Sequence, residues 1–197
     1  MARTINEEQR KKNEAAILNK SREVFCAKGF NHVTMKDLVE ASGMSRGGFY
    51  FYYSSVDVVF RAATQQRTKS KFEEIVHSIE ENPDFDELLE TYFKAQKKRL
   101  LNMDQSMIRA MYEYLFTHRD KSDIEFRDAQ IAKILDTIRA ILELGVRQGK
   151  VDAAGLDQKI ENIMICIEGF NALAMFESIS EERIDAQFQL LTEMIRG

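Results

Sequence analysis

The chain has 197 residues, 44% hydrophobic and 30% charged, with nine Gly, one Pro and no Trp. This composition favours a soluble all-α chain over a sandwich or barrel, whose turns need frequent Gly, Pro, Asn and Asp. The net charge of −4 hides an asymmetry: residues 1–71 carry 13 Lys and Arg against 7 Asp and Glu, a net of +6, whereas residues 72–197 carry 15 against 25, a net of −10. The front can meet a polyanion and the rear stays off it.

No stretch approaches ~18 uninterrupted apolar residues and the start lacks the apolar segment of a secretory signal, so a cytoplasmic protein without membrane contact is expected. Cys26 and Cys166 lie far apart in apolar surroundings and read as two buried thiols. His32, His77 and His118 have no metal-ligand spacing. Neither a metal nor a cofactor is expected.

The first helix is predicted from near Asn6, which forms a capping box with Gln9, to about Lys28, where Gly29 ends it. Ile17, Leu18, Val24 and Phe25 supply its apolar face. A second helix opens at Thr34, answered by Asp37, and stops at Gly43; Ser45 caps a third that carries Arg46-Gly47-Gly48-Phe49-Tyr50-Phe51-Tyr52-Tyr53. Two short helices around a Gly-containing turn make a helix-turn-helix. From Ser55 a longer helix turns Val58, Val59, Ala62 and Ala63 inward and Arg61, Arg67, Lys69 and Lys71 outward, ending near Glu81 before Asn82-Pro83-Asp84, where Asp84 with Glu87 can cap the next helix. Further helices are placed at 85–101, 104–118, 122–148, 156–178 and 183–196.

The second helix of such a unit enters the major groove and needs polar donors at its start with little bulk near the backbone. Ser45 and the helix N-terminus suit a phosphate, and Arg46 can fork onto guanine, a contact worth about 1 to 3 kcal/mol of discrimination. Gly47 and Gly48 cost about 1 kcal/mol each against Ala, a cost that close approach to DNA would offset. Phe49 and Tyr53, four apart, are assigned to the core, and Tyr50, with Phe51 and Tyr52, to the DNA side.

The run from Ile17-Leu18 through Val24-Phe25, Gly29-Phe30, Val33-Thr34-Met35-Lys36-Asp37-Leu38 and Ala41-Ser42-Gly43-Met44-Ser45-Arg46-Gly47-Gly48-Phe49-Tyr50 to Tyr52-Tyr53 and Ser55 resembles the DNA-binding domain of the TetR family of bacterial transcriptional regulators. The resemblance covers residues 10 to about 60 and implies DNA contacts by Thr34, Lys36, Ser45, Arg46, Gly47, Tyr50 and Tyr52. Members usually carry Ser-Lys-Glu at the start of the fourth helix, where this chain has Ser55-Val56-Asp57. Ser55 and its helix N-terminus are left to hold the phosphate there.

The rear shows no Gly-rich phosphate loop, catalytic constellation or metal spacing, so an enzyme is not expected. Met107, Met111, Tyr112, Ile138 and Phe170 are candidates for the wall of an apolar ligand pocket, and otherwise for core. The helix from 156 is apolar on more than one side, and the last helix repeats at spacings of three and four. In proteins similar to this one the last two helices pair in a homodimer, which nominates Ile163, Ile167, Ala174, Phe188 and Leu191. Glu168 reads as an exposed or dimer-edge charge. The expected organisation is a three-helix DNA-binding domain at 1–55, a connecting helix at 56–82, and a helical ligand-binding and dimerisation domain at 83–197. The resemblance implies a homodimeric repressor on a palindromic double-stranded operator, released by a small, largely apolar effector. A ligand-independent DNA-binding regulator of the same fold and a helical protein-interaction module are the alternatives.

Overall fold

The computed structural model describes residues 7–196. Among them every long element is a helix: α1 (Glu7–Lys28), α2 (Met35–Ser42), α3 (Arg46–Tyr52), α4 (Val56–Glu80), α5 (Phe85–Leu100), α6 (Met107–Thr117), α7 (Lys121–Arg147), α8 (Leu156–Ala174) and α9 (Glu181–Arg196). The all-α expectation holds. Asn6, the expected first cap, lies outside the described residues. No described helix is long and apolar enough to cross a membrane.

The chain forms two compact units, one reaching to Arg67 and taking in Asp104–Asp120, the other made of Thr68–Met103 and the chain from Lys121 onward. These limits do not follow the sequence boundaries at 55 and 82, because α6 packs with the first unit. The reason is aromatic. Tyr114 of α6 is fully buried and its ring lies 5.0 Å from both Phe30 and Phe60, with Phe25 a further 5.0 Å from Phe60. Arg61 Nε donates to the Tyr114 hydroxyl at 2.6 Å. Arg61 is thus drawn in rather than outward. The inward stripe of α4 is Val59, Phe60, Ala63 and Thr64, while Val58 is 44% exposed, one position off the expected phase.

Glu113, next to Tyr114, fixes the turn between α1 and α2. Its Oε2 accepts the N–H of Phe30 at 2.7 Å and of Asn31 at 3.0 Å. Gly29 sits beneath at φ +75°, where a Cβ would run into that carboxylate. Only glycine adopts this conformation without cost and also leaves that space.

In the second unit, Asp84 caps α5, accepting from the N–H of Asp86 at 2.9 Å and of Glu87 at 3.3 Å, as Asn82-Pro83-Asp84 foretold. Gln148 holds the same turn, its Oε1 accepting from Phe85 N–H at 2.9 Å and its Nε2 donating to the Pro83 carbonyl at 2.7 Å. Lys150 pairs with Asp84 and Asp86 and holds both carboxyls below the usual range. The core joins Phe85, Leu89, Phe93, Ile138, Ile141, Leu142, Ile163, Ile167, Phe188 and Ile195, each 6% exposed or less.

α8 is shorter than its apolar run, ending at Ala174 rather than 178, because Met175 and Phe176 turn their N–H groups back onto Ala172 and Leu173.

Candidate nucleic-acid interface

The reading head is assembled by caps. Thr34 forms a reciprocal capping box: its Oγ1 accepts from Asp37 N–H at 3.3 Å, and its own N–H and hydroxyl donate to Asp37 Oδ2 at 2.9 and 2.8 Å. Lys28 donates to Asp37 Oδ1 at 2.6 Å, and that bond, with the two from Thr34, lowers the Asp37 carboxyl to about 2. Sequence reasoning missed Lys28, nine residues before the carboxylate it serves. The Thr34 hydroxyl proton is committed to the cap.

Gly43 closes α2 at φ +67° and sends the chain into Ser45, whose Oγ accepts from Gly48 N–H at 3.2 Å. A Cβ on Gly48 would press on that Oγ at 3.1 Å, so its smallness serves the cap. Gly47 instead faces open space and is exposed. Only Gly47 keeps the room for close approach that was expected of both.

Beyond the cap, the helical period divides the aromatics. Phe49 is fully buried and Tyr53 is 4% exposed, whereas Tyr50 and Phe51 are 40% and 68% exposed and Tyr52 is half-buried. Arg46 is exposed and its guanidinium lies 5.5 Å from the Tyr50 ring, one turn on. That contact aligns both along the outer face of α3. Lys36 is exposed, with Glu40 3.8 Å away. Ser55 caps α4 through Val58 N–H at 3.3 Å, and Val56 follows where a lysine is usual in the resembled family. Thr34, Lys36, Ser45, Arg46, Gly47, Tyr50, Tyr52 and Ser55 thus all lie on α2, α3 and the caps around them. Asn13 of α1, which donates to the Tyr52 hydroxyl, was missed, since 39 positions separate the pair.

The other candidates are divided. Met107, Met111 and Tyr112 are half-buried on α6 in the first unit. In the second unit Ile138 is 1% exposed, and Phe170 lines a hollow of about 230 Å³ with Cys166, Gly169, Leu173, Arg183 and Gln187.

Ile163, Ile167, Phe188 and Leu191 pack inside the second unit, and Ala174 is half-buried. Phe188 stacks on Phe93 at 4.6 Å and meets the edge of Phe170 at 6.0 Å, which uses up its face within the chain. The apolar side chains that α8, α9 and the intervening turn leave exposed are Ile165, Leu173, Phe176 and Leu190. Glu168 also differs from its reading as a free edge charge. Asn171, 1% exposed, donates to it at 3.0 Å and accepts from Arg99 at 2.6 Å. Cys26 and Cys166 are half-buried free thiols, each raised by burial.

Residues 17–63 match the family model of bacterial regulatory proteins, tetR family. An uncharacterised HTH-type transcriptional regulator of Bacillus subtilis, YfiR, is 28% identical over 151 residues, 76% of this chain and 73% of the relative. The fold is shared with a cysteine mutant of the regulator CifR complexed with a 26-base-pair operator (TM-score 0.65, 16% identity, covering 91% of this chain and 94% of that one). It is also shared with a transcriptional regulator from Saccharomonospora viridis in complex with choline (TM-score 0.67, 17% identity, covering 94% and 96%). The capped helix-turn-helix lies inside the matched segment, so residues 17–63 are similar to the DNA-binding segment of bacterial regulatory proteins of the tetR family.

Proposed function

We propose that the protein is a homodimeric repressor that reads a palindromic operator with α2 and α3 and leaves it when a small, largely apolar molecule occupies the helices that follow. The observation that carries this reading is the exposed, capped start of α3, where Arg46 and Tyr50 project together and Gly47 leaves the backbone bare. Arg46 reads a base edge; Lys36, Ser45, Tyr52 and Ser55 hold phosphates; Thr34 serves by its cap. The CifR complex with operator DNA supports the DNA reading, and the choline-bound regulator supports an effector, with Phe170 and its hollow as the nearest candidate contact.

Dimerisation is assigned to Ile165, Leu173, Phe176 and Leu190, because an exposed apolar set on the last two helices and the turn between them lowers its free energy by meeting its own copy. Two-fold symmetry then sets the half-sites about one DNA turn apart, on the order of 34 to 36 Å. An effector releases the dimer only by favouring a state in which that spacing is lost.

The test is selection of bound duplexes from a random library at near-physiological salt, followed by titration. A palindromic consensus preferred over scrambled DNA by about 10³-fold or more is expected of a specific dimeric regulator. Binding that is weak, indifferent to sequence and lost with salt refutes it.

A further inference from the structure

Two neighbouring residues of α1 hold the two neighbouring tyrosines that end α3, and they do so in opposite senses. Glu14 Oε1 accepts from the Tyr53 hydroxyl at 3.3 Å. Asn13 Nδ2 donates to the Tyr52 hydroxyl oxygen, also at 3.3 Å. A phenol has one proton to give and lone pairs with which to accept. An ionised carboxylate has only acceptors, so Glu14 takes the proton of Tyr53. The Asn13 amide occupies a lone pair of Tyr52 instead and leaves the proton pointing elsewhere.

The sense of the Asn13 amide is set from the other side. Gln9 Nε2 donates to Asn13 Oδ1 at 2.9 Å, which turns the NH₂ group of Asn13 toward the tyrosine. The result is a one-way relay from Gln9 to Asn13 to Tyr52, with every donor aimed in the same direction. Such chains polarise each member, so the last hydroxyl becomes a better donor. Burial follows the same division: Tyr53, whose proton is spent inside, is 4% exposed, while Tyr52 is half-exposed at the end of the reading helix.

We propose that Asn13 is a positioning residue for DNA binding, fixing the Tyr52 hydroxyl with its proton directed outward as a donor to a backbone phosphate. This rests on the DNA-binding reading of α2 and α3. Phosphate oxygens only accept, so a tyrosine whose proton is held by its own chain is useless to them and one whose lone pair is held is prepared. An aspartate at position 13 would treat Tyr52 as Glu14 treats Tyr53 and capture the proton.

The experiment is a double-mutant cycle on a duplex selected from a random library with the wild-type protein. Affinity is measured for wild type, Asn13→Ala, Asn13→Asp and Tyr52→Phe, and for each Asn13 variant combined with Tyr52→Phe, with thermal unfolding of each. Tyr52→Phe is expected to weaken binding roughly tenfold, the scale of a hydrogen bond to a charged group. Asn13→Ala should cost a smaller factor, about threefold, and nothing further once Tyr52 is Phe, because it acts only through the hydroxyl. Asn13→Asp should lose more with Tyr52 present than with Phe there, where only its charge acts. Equal factors in both backgrounds, for either variant, overturn the proposal while leaving the DNA reading intact. A wild-type protein that selects no duplex overturns both.

Discussion

Gly29 and Glu113 should be energetically one feature although 84 positions separate them, and urea unfolding can show it. In Gly29→Ala the new methyl meets Glu113 Oε1 at 2.5 Å and an Arg109 nitrogen at 2.7 Å, while φ stays at +75°. The left-handed backbone alone costs an L-residue about 1 kcal/mol. Expelling the carboxylate also forfeits its bonds to Phe30 and Asn31 N–H. Hydrogen bonds to charged groups contribute about 1.5 to 3 kcal/mol each, and with Asn31 exposed the pair is worth about 2 to 3 together. Gly29→Ala is therefore expected to lose about 3 to 4 kcal/mol and Glu113→Ala about 2 to 3.

The double variant loses those bonds only once. It should fall no further than Gly29→Ala, about 3 to 4 kcal/mol, where independent effects would give about 5 to 7. Tyrosine fluorescence suits the assay. The chain has no Trp, and of its six Tyr only Tyr92 lies in the second unit. Additive losses would refute the claim that the Glu113 carboxylate fills the space Gly29 leaves.

The remaining predictions concern charge and surface. Asp37 is held at about 2, chiefly by Lys28, below its ordinary 3.8. A depressed carboxyl stabilises the fold above its unfolded value and loses that contribution as pH falls through the folded one, so wild type should lose its advantage over Asp37→Asn between about pH 4 and 2 in urea titrations. Arg46→Ala should cost about 1 to 3 kcal/mol on the selected duplex and relax one base position, whereas Lys36→Ala should weaken all duplexes alike and reduce the salt slope by about one. Leu190→Glu should dissociate the dimer in sedimentation with little change in the unfolding midpoint. Phe188→Ala should instead lower stability by about 3 to 5 kcal/mol, since its ring lies inside the second unit; intact Leu190→Glu dimers would remove that face from the interface.

What was legible in the sequence was local. Thr34 with Asp37, Ser45 with Gly48, and Asp84 with Glu87 act over three positions, so spacing alone exposes them. The inward turn of Phe49 and Tyr53 likewise follows from 3.6 residues per turn. Long-range partners leave no such trace. Nothing in the α6 sequence says that Glu113 will seek the N–H of Phe30, or that Tyr114 will take α6 into the first unit with Arg61. α8 failed for a different reason. A helix with Ile163, Ile165, Ile167 and Leu173 has apolar residues all round, so periodicity cannot choose which face is core. Packing against α5, α7 and α9, with Phe170 meeting the Phe188 ring, chose it, and Ile163, Ile167, Phe188 and Leu191 became interior while Ala174 is half-buried.

Five hydroxyls of the helix-turn-helix, those of Thr34, Ser45, Tyr52, Tyr53 and Ser55, divide by what each neighbour can accept. Thr34 and Tyr53 give their protons to the carboxylates of Asp37 and Glu14. Ser45, Tyr52 and Ser55 instead accept from N–H groups of Gly48, Asn13 and Val58. The first two are thereby closed within the fold, and the other three have lone pairs occupied and protons to offer. Phosphate oxygens only accept, so on the proposed DNA reading the second set is matched to them, with Lys36 and Arg46 adding positive charge. The distinction lies in what each hydroxyl's neighbour on the chain can accept. Among these five, a carboxylate neighbour takes the proton into the fold, while an amide or backbone N–H neighbour leaves it for an outside acceptor.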